Sequence, residues 1–238
     1  MDNSVTLLRD EHAGMMNPWN KPVVGWQPNA DGVSGLHNPM GFAFVRVVQQ
    51  NGDGQALYDQ PVIIENAGAI VLPVLGDRIG LIRVWRANAA RLMDVGAAYV
   101  RQLQDENRWA ELIDTLGSWN WEAPRGLSPE GVAGEALTEH VIRTAKLEAK
   151  EEAGFEIANA RLVGKVNANT TFFAHPQYVV RADVESIGDK SPEDLEQGVI
   201  GQTKFFTMVE LAELNRNGEF VCGLTLSALA LCGLALPL

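Results

Sequence analysis

The chain has 238 residues, an apolar share of 46% and a formal net charge of -11, which suit one sizeable domain with a small appendage and a real core. So much negative charge repels polyanions and excludes extended nucleic acid as an expected partner, while small charged metabolites stay in play because a divalent cation reverses the field locally. Cys222 and Cys232 stand in no metal or redox spacing and the opening "MDNSVTLLRDEHAGMM" has no secretory core, so a reduced, cytoplasmic setting is expected.

Residues 1–40 are rich in Asn, Gly and Pro and read as loop with one short strand around Val23–Trp26. "FAFVRVVQQ" and "QALYDQPVIIE" then flank "NGDG", whose Asn and Gly accept positive φ and predict a hairpin. Residues 1–60 are thus expected to form a loop and strand extension. "AGAIVLPVL" and "IGLIRVWR" predict two core strands joined by a tight turn at Gly76 and Asp77, and residues 94–117 show helical spacing, as an insertion.

"WNWEAP" resumes extended chain and runs through the glycine-bearing "RGLSPEGVAGEA" into the helix "AKLEAKEEAGFE". Strands over "RLVGKVNANTTFFA" and "YVVRADVES" follow, then an acidic loop, "SPEDLEQG", and a helix, "TMVELAELNRNG", closed by Gly218. The uncharged stretch Val221–Leu238 predicts a buried terminal helix rather than a membrane anchor, because Gly223, Thr225, Ser227 and Gly233 dilute it and no basic flank follows. This order predicts an α/β (α+β) class with a mixed sheet and helices against it.

The acidic helix carries the chemistry. At about 100° per residue, Glu148, Glu151 and Glu152 gather on one side, with Lys146 and Lys150 opposite. Like charges at that spacing repel, and the negative end of the helix adds to the cost. A hard divalent cation is the natural offset, since Mg²⁺ takes carboxylate oxygens, keeps waters and bridges to phosphates.

Glu148-Ala149-Lys150-Glu151-Glu152-Ala153-Gly154-Phe155 resembles the end of the Nudix hydrolase box, G-x5-E-x7-R-E-U-x-E-E-x-G-U. The resemblance implies an α/β/α sandwich spanning residues 61–238. It also implies Mg²⁺ or Mn²⁺ held by Glu148 and Glu152 with Glu151 assisting, and water attacking a nucleoside diphosphate joined to another moiety. Two departures stand out. Leu147 replaces the box arginine, and Gly126 lies twenty-one residues before it where the pattern needs fourteen. Glu139 keeps the x7 interval to Leu147, whereas Glu135, in "AGEA", sits one helical turn earlier; an inserted loop favours the first and a lengthened helix the second.

"IRVWR" and "WEAPRGL" are further similar to ADP-ribose pyrophosphatases. That likeness implies Glu122, Pro124 and Gly126 as landmarks and a metal-contacting carbonyl at Arg125. Arg83 and Arg86 become candidates for phosphate or ribose, and Glu193 and Glu196 candidates for the general base. It also implies a homodimer through the N-terminal strands. Because Leu147 departs from the box, a non-catalytic module that binds a nucleotide or a partner protein is the alternative. His175 reads as an exposed loop residue, with a base or substrate contact as the alternative, His140 as surface decoration able to pair with Glu135 or Glu139, and Trp119 and Trp121 as residues that either stack on adenine or pack in the core or an interface.

Overall fold

The computed structural model describes residues 2–7, 43–50, 53, 56–64, 67–86, 98, 101–102, 105–108, 117–128, 132–170, 173–191 and 199–237. The chain divides into two compact units, one of Met1–Ala67 with Asn167–Pro176, the other of Gly68–Val166 with Gln177–Leu238.

In the first unit, β1 (Asp2–Leu7), β2 (Ala43–Gln50) and β3 (Ala56–Ile64) form an antiparallel ladder. The expected hairpin joins β2 to β3, with an irregularity between Gln49 and Gln50. β1 falls where the sequence reads as loop. Its short alternation at Val5 and Leu7 is a weak signal alone, and pairing with β2 along Asp2–Leu7 supplies the missing ladder partners. The expected strand around Val23–Trp26 lies outside the described residues, as does most of the insertion at 94–117, where residues 98, 101–102 and 105 are helical.

The second unit is built on β4 (Gly68–Leu75), buried without a break from Gly68 to Pro73. A continuous apolar run marks a strand covered on both faces. A turn at Gly76, φ +62°, leads into β5 (Arg78–Arg86). The two strands stay paired only at Val74–Ile79 and Leu75–Arg78. Beyond that tip they diverge, and β6 (Ser118–Glu122) pairs β5 while β7 (Arg125–Leu127) pairs β4. β9 (Phe173–Ile187) runs parallel on the other edge of β4, β8 (Phe155–Asn169) pairs β9, and β10 (Ile200–Phe206) pairs β5. The result is a mixed seven-strand sheet.

Alternate residues of these strands serve opposite faces. Ala69, Val71, Ile82, Val84, Val180 and Ala182 pack against Val141, Ala145, Ala149 and Ala153 of α1 (Leu137–Ala153). Three alanines at intervals of four let that helix lie close to the sheet. Ile70, Leu72, Leu81 and Val179 pack instead against Leu211 of α2 (Met208–Arg216) and Leu224, Ala228 and Leu229 of α3 (Gly223–Leu231). Each large side chain removed from water contributes about 1.5–3 kcal/mol. The architecture is an α/β/α sandwich of α+β class, as the sequence predicts.

Thr207 caps α2: its Oγ1 accepts from Glu210 N at 3.3 Å and its N donates to Glu210 Oε2 at 2.7 Å. The expected terminal helix is α3, and among the described residues no helix is long and apolar enough to cross a membrane. One expectation is overturned. His175 is not an exposed loop residue; it lies inside β9 and is 3% exposed, because a residue before proline favours extended backbone and the strand begins earlier than "YVVRADVES".

Candidate active site

The site is assembled by α1 crossing the fork between β4 and β5. At its start, Glu139 reaches back so that Ala136 N donates to its Oε2 at 3.3 Å, which makes Glu139 a capping residue. Glu135 sits just before the helix and takes a bidentate fork from Arg143, Nε to Oε1 at 2.8 Å and Nη2 to Oε2 at 2.9 Å. Val132 N donates to Glu135 Oε2 at 3.2 Å and His140 Nδ1 lies 3.0 Å from it. These bonds, the Arg143 fork foremost, hold the Glu135 carboxyl far below the usual carboxylate range against the opposing effect of desolvation. His140 is therefore half-buried beside Glu135 rather than surface decoration.

Arg143 follows Glu135 by the same E-x7-R interval that the box prescribes, one helical turn before Leu147. Leu147 itself is 40% exposed. At the other end of α1, Gly154 adopts φ +72°, and its N–H donates to Lys150 O at 2.9 Å. A Cβ there would collide with Gly188 O. The loop after β9 is tied to this end, Gly188 N to Gly154 O at 2.8 Å and Ser191 N to Glu151 O at 3.1 Å. Lys190 in that loop donates to Gly201 O at 2.5 Å; burial lowers its pKa, and the charge of Glu152 opposes the shift.

Glu148 and Glu152, one turn apart, both reach β7. Glu152 is 2% exposed, and its Oε2 accepts from Arg125 N at 2.7 Å. The carboxylate of Glu148 lies against Gly126, where a Cβ would overlap its Cδ and both oxygens. Glycine at 126 thus opens the space that the Glu148 carboxylate fills. Glu151, half-buried, lies to the other side of Glu148. Lys150 turns to Glu156, Nζ to Oε1 at 2.7 Å.

Beside this pair stands an ion cluster. Glu122, its side chain 5% exposed, accepts from Arg86 Nε at 3.2–3.3 Å and Nη2 at 2.9 Å, and from Arg125 Nη2 at 3.3 Å. Burial works against the charge of Arg125, yet the nearby anions, Glu122 foremost, hold it above the ordinary arginine range. Alternation puts Glu122, Asn120 and Arg86 on the face covered by α1. Arg83 is on the opposite face, its guanidinium 5.8 Å from the Trp119 ring centroid, and the fold does not bring it to the carboxylates. Trp121 packs edge-on against Phe206 with centroids 4.7 Å apart, while Trp119 is partly exposed.

Among the described residues, no three or more His, Cys, Asp or Glu side chains are grouped to hold a metal ion. The donors that converge on β7 are the pair Glu148 and Glu152. Two carboxylates offering hard oxygens, one cradled over a glycine, still fit a cation such as Mg²⁺, which retains waters and binds through one or two carboxylates. Glu193 and Glu196 lie outside the described residues. Sequence reasoning missed Arg143 and Lys190. The signal for Arg143 was its interval from Glu135.

No family model matches the chain. No curated protein matches it either. Among solved structures it is similar to one described as "Crystal structure of ADP compounds hydrolase", with TM-score 0.51 and 17% identity over 90% of this chain and 92% of the other. At that identity the likeness shows the fold alone: this chain shares the architecture of a hydrolase of ADP compounds, in agreement with the Nudix-type sandwich that the sequence resemblance implies.

Proposed function

We propose that the protein is a Nudix-type, metal-dependent pyrophosphohydrolase. Its substrate is a nucleoside diphosphate joined to another moiety, ADP-ribose or a nucleoside diphosphate sugar before others, and its products are a nucleoside monophosphate and a sugar phosphate. The observation that carries the reading is the meeting of Glu148 and Glu152 at Arg125 and Gly126. A shared fold with a hydrolase of ADP compounds supports it.

Glu148 and Glu152 would hold Mg²⁺ or Mn²⁺, with Glu151 assisting. A cation there supplies neutralisation of the diphosphate and acidifies the attacking water. Glu152 is kept in place by the Arg125 amide, and Arg86 is kept in place by Glu122, with its remaining donors suited to a phosphate oxygen or a ribose hydroxyl. Glu135, fixed by Arg143, is the upstream glutamate of a box lengthened by one helical turn. A carboxylate of the acidic loop, Glu193 or Glu196, takes the proton from water.

Mg²⁺- or Mn²⁺-dependent product formation from a panel beginning with ADP-ribose tests the reading. Glu152→Gln should abolish turnover while the fold survives; unchanged rates would remove Glu152 from the site. The second reading is a module that binds a nucleotide or a partner protein without cleaving it, favoured by Leu147 and by the lack of a three-residue ligand group among the described residues. A pure binder is stabilised by nucleotide and yields no product. A cytoplasmic homodimer joined through the N-terminal strands belongs to the same proposal, and a monomeric sedimentation profile counts against it.

A further inference from the structure

The buried residues of α3 are Leu224, Thr225, Ala228 and Leu229, and Thr225, at 0% exposure, is the polar one among them. A hydroxyl withdrawn from water is costly unless bonded. Its Oγ1 accepts from Ala123 N at 3.0 Å, across 102 residues of sequence. Ala123 opens the turn between Glu122 and Arg125. Its next residue, Pro124, accepts from Val71 N at 3.0 Å, and the one after, Arg125, donates to Glu152 Oε2 at 2.7 Å. Three consecutive residues are thus fixed to α3, β4 and α1 in turn. Neighbouring bonds support the same strand end: Trp121 N donates to Glu219 O at 2.9 Å, and Asn215 Nδ2 to Phe220 O at 2.7 Å, in the chain leading to α3.

We propose that Thr225 is a positioning residue for the candidate active site, its hydroxyl fixing the turn from which Arg125 meets Glu152. The proposal rests on the reading of Glu152 as a site residue. Valine fills the same space as threonine but leaves the Ala123 N–H unpaired in the interior. The turn then loosens at its first residue, and the slack passes two residues on to the Arg125 amide.

The test compares Thr225→Val and Thr225→Ser with the full-length wild-type chain by amide hydrogen exchange and by Mn²⁺ titration. Thr225→Val should speed exchange at both Ala123 and Arg125 at least tenfold and weaken Mn²⁺ binding. Thr225→Ser, which keeps the hydroxyl, should match wild type in both. A merely local bond would expose Ala123 and leave Arg125 and Mn²⁺ affinity unchanged, which overturns the proposal. Loss of Arg125 protection in Thr225→Ser overturns it equally. A wild-type chain that takes up no Mn²⁺ refutes the metal reading instead, and the Arg125 exchange rate still decides the role of Thr225.

Discussion

Gly126→Ala separates the stability of this fold from the chemistry of its site. Gly126 lies in the extended β7 and opposite Ala69 in the β4 ladder, so alanine suits the backbone there. The added Cβ, however, would stand well inside 3.0 Å of Glu148 Cδ and both of its oxygens, whereas ordinary contact begins at 3.4 Å. The carboxylate must retreat by more than about 1 Å, a displacement that costs on the order of 10²-fold in rate when it touches a reacting constellation. The retreating group is the far end of a flexible side chain, so the fold gives way cheaply, by less than the roughly 1–3 kcal/mol of an overpacked rigid core. Gly126→Ala should therefore melt within a few degrees of wild type, bind Mn²⁺ poorly and lose about 10²-fold in kcat/KM on ADP-ribose. Wild-type turnover in this variant would show that the Glu148 carboxylate has no part in the chemistry. Gross unfolding would show instead that Gly126 serves packing.

Other expectations follow from the same geometry. Arg86→Met takes a two-nitrogen fork from a carboxylate that is 5% exposed and should cost about 1.5–3 kcal/mol in denaturant unfolding; an unchanged midpoint would mean that Arg125 satisfies Glu122 alone. Glu135→Gln tests the acid limb of stability. Because the Arg143 fork depresses the Glu135 carboxyl in the folded chain below its ordinary value of 4.5, the unfolded chain takes up the proton first. The stabilisation is complete above about pH 4.5 and is lost as pH falls toward the folded value, so Glu135→Gln should flatten that limb. An acid limb identical to wild type would contradict the bond network at the start of α1.

Much of the fold was legible because its signals are local. The buried run in β4, the hairpin at "NGDG", Gly218 closing α2, and Gly154 after an acidic helix all write their conformation into neighbouring residues. The site was legible in its α1 half for the same reason: a period of 3.6 residues places Glu148 and Glu152 together. Its other half depends on contacts that periodicity cannot carry. Glu148 meets Gly126 across twenty-two residues, Arg86 meets Glu122 across 36, and Ala123 meets Thr225 across 102. Arg143 went unread because its E-x7-R interval from Glu135 ends one helical turn before Leu147, away from Glu148, Glu151 and Glu152. Arg83 and Arg86 looked equivalent in "IRVWR", yet an odd spacing of three on a strand sends them to opposite faces. His175 showed the converse: one histidine before proline looked like loop, and β9 buried it.

The most direct test is a crystal of the wild-type chain soaked in Mn²⁺, with anomalous diffraction measured at the manganese edge. A peak coordinated by Glu148 and Glu152 beside Arg125, and missing from a Glu152→Gln crystal treated alike, is the predicted result. A map with no peak at those carboxylates, from crystals that still cleave ADP-ribose, would contradict the account.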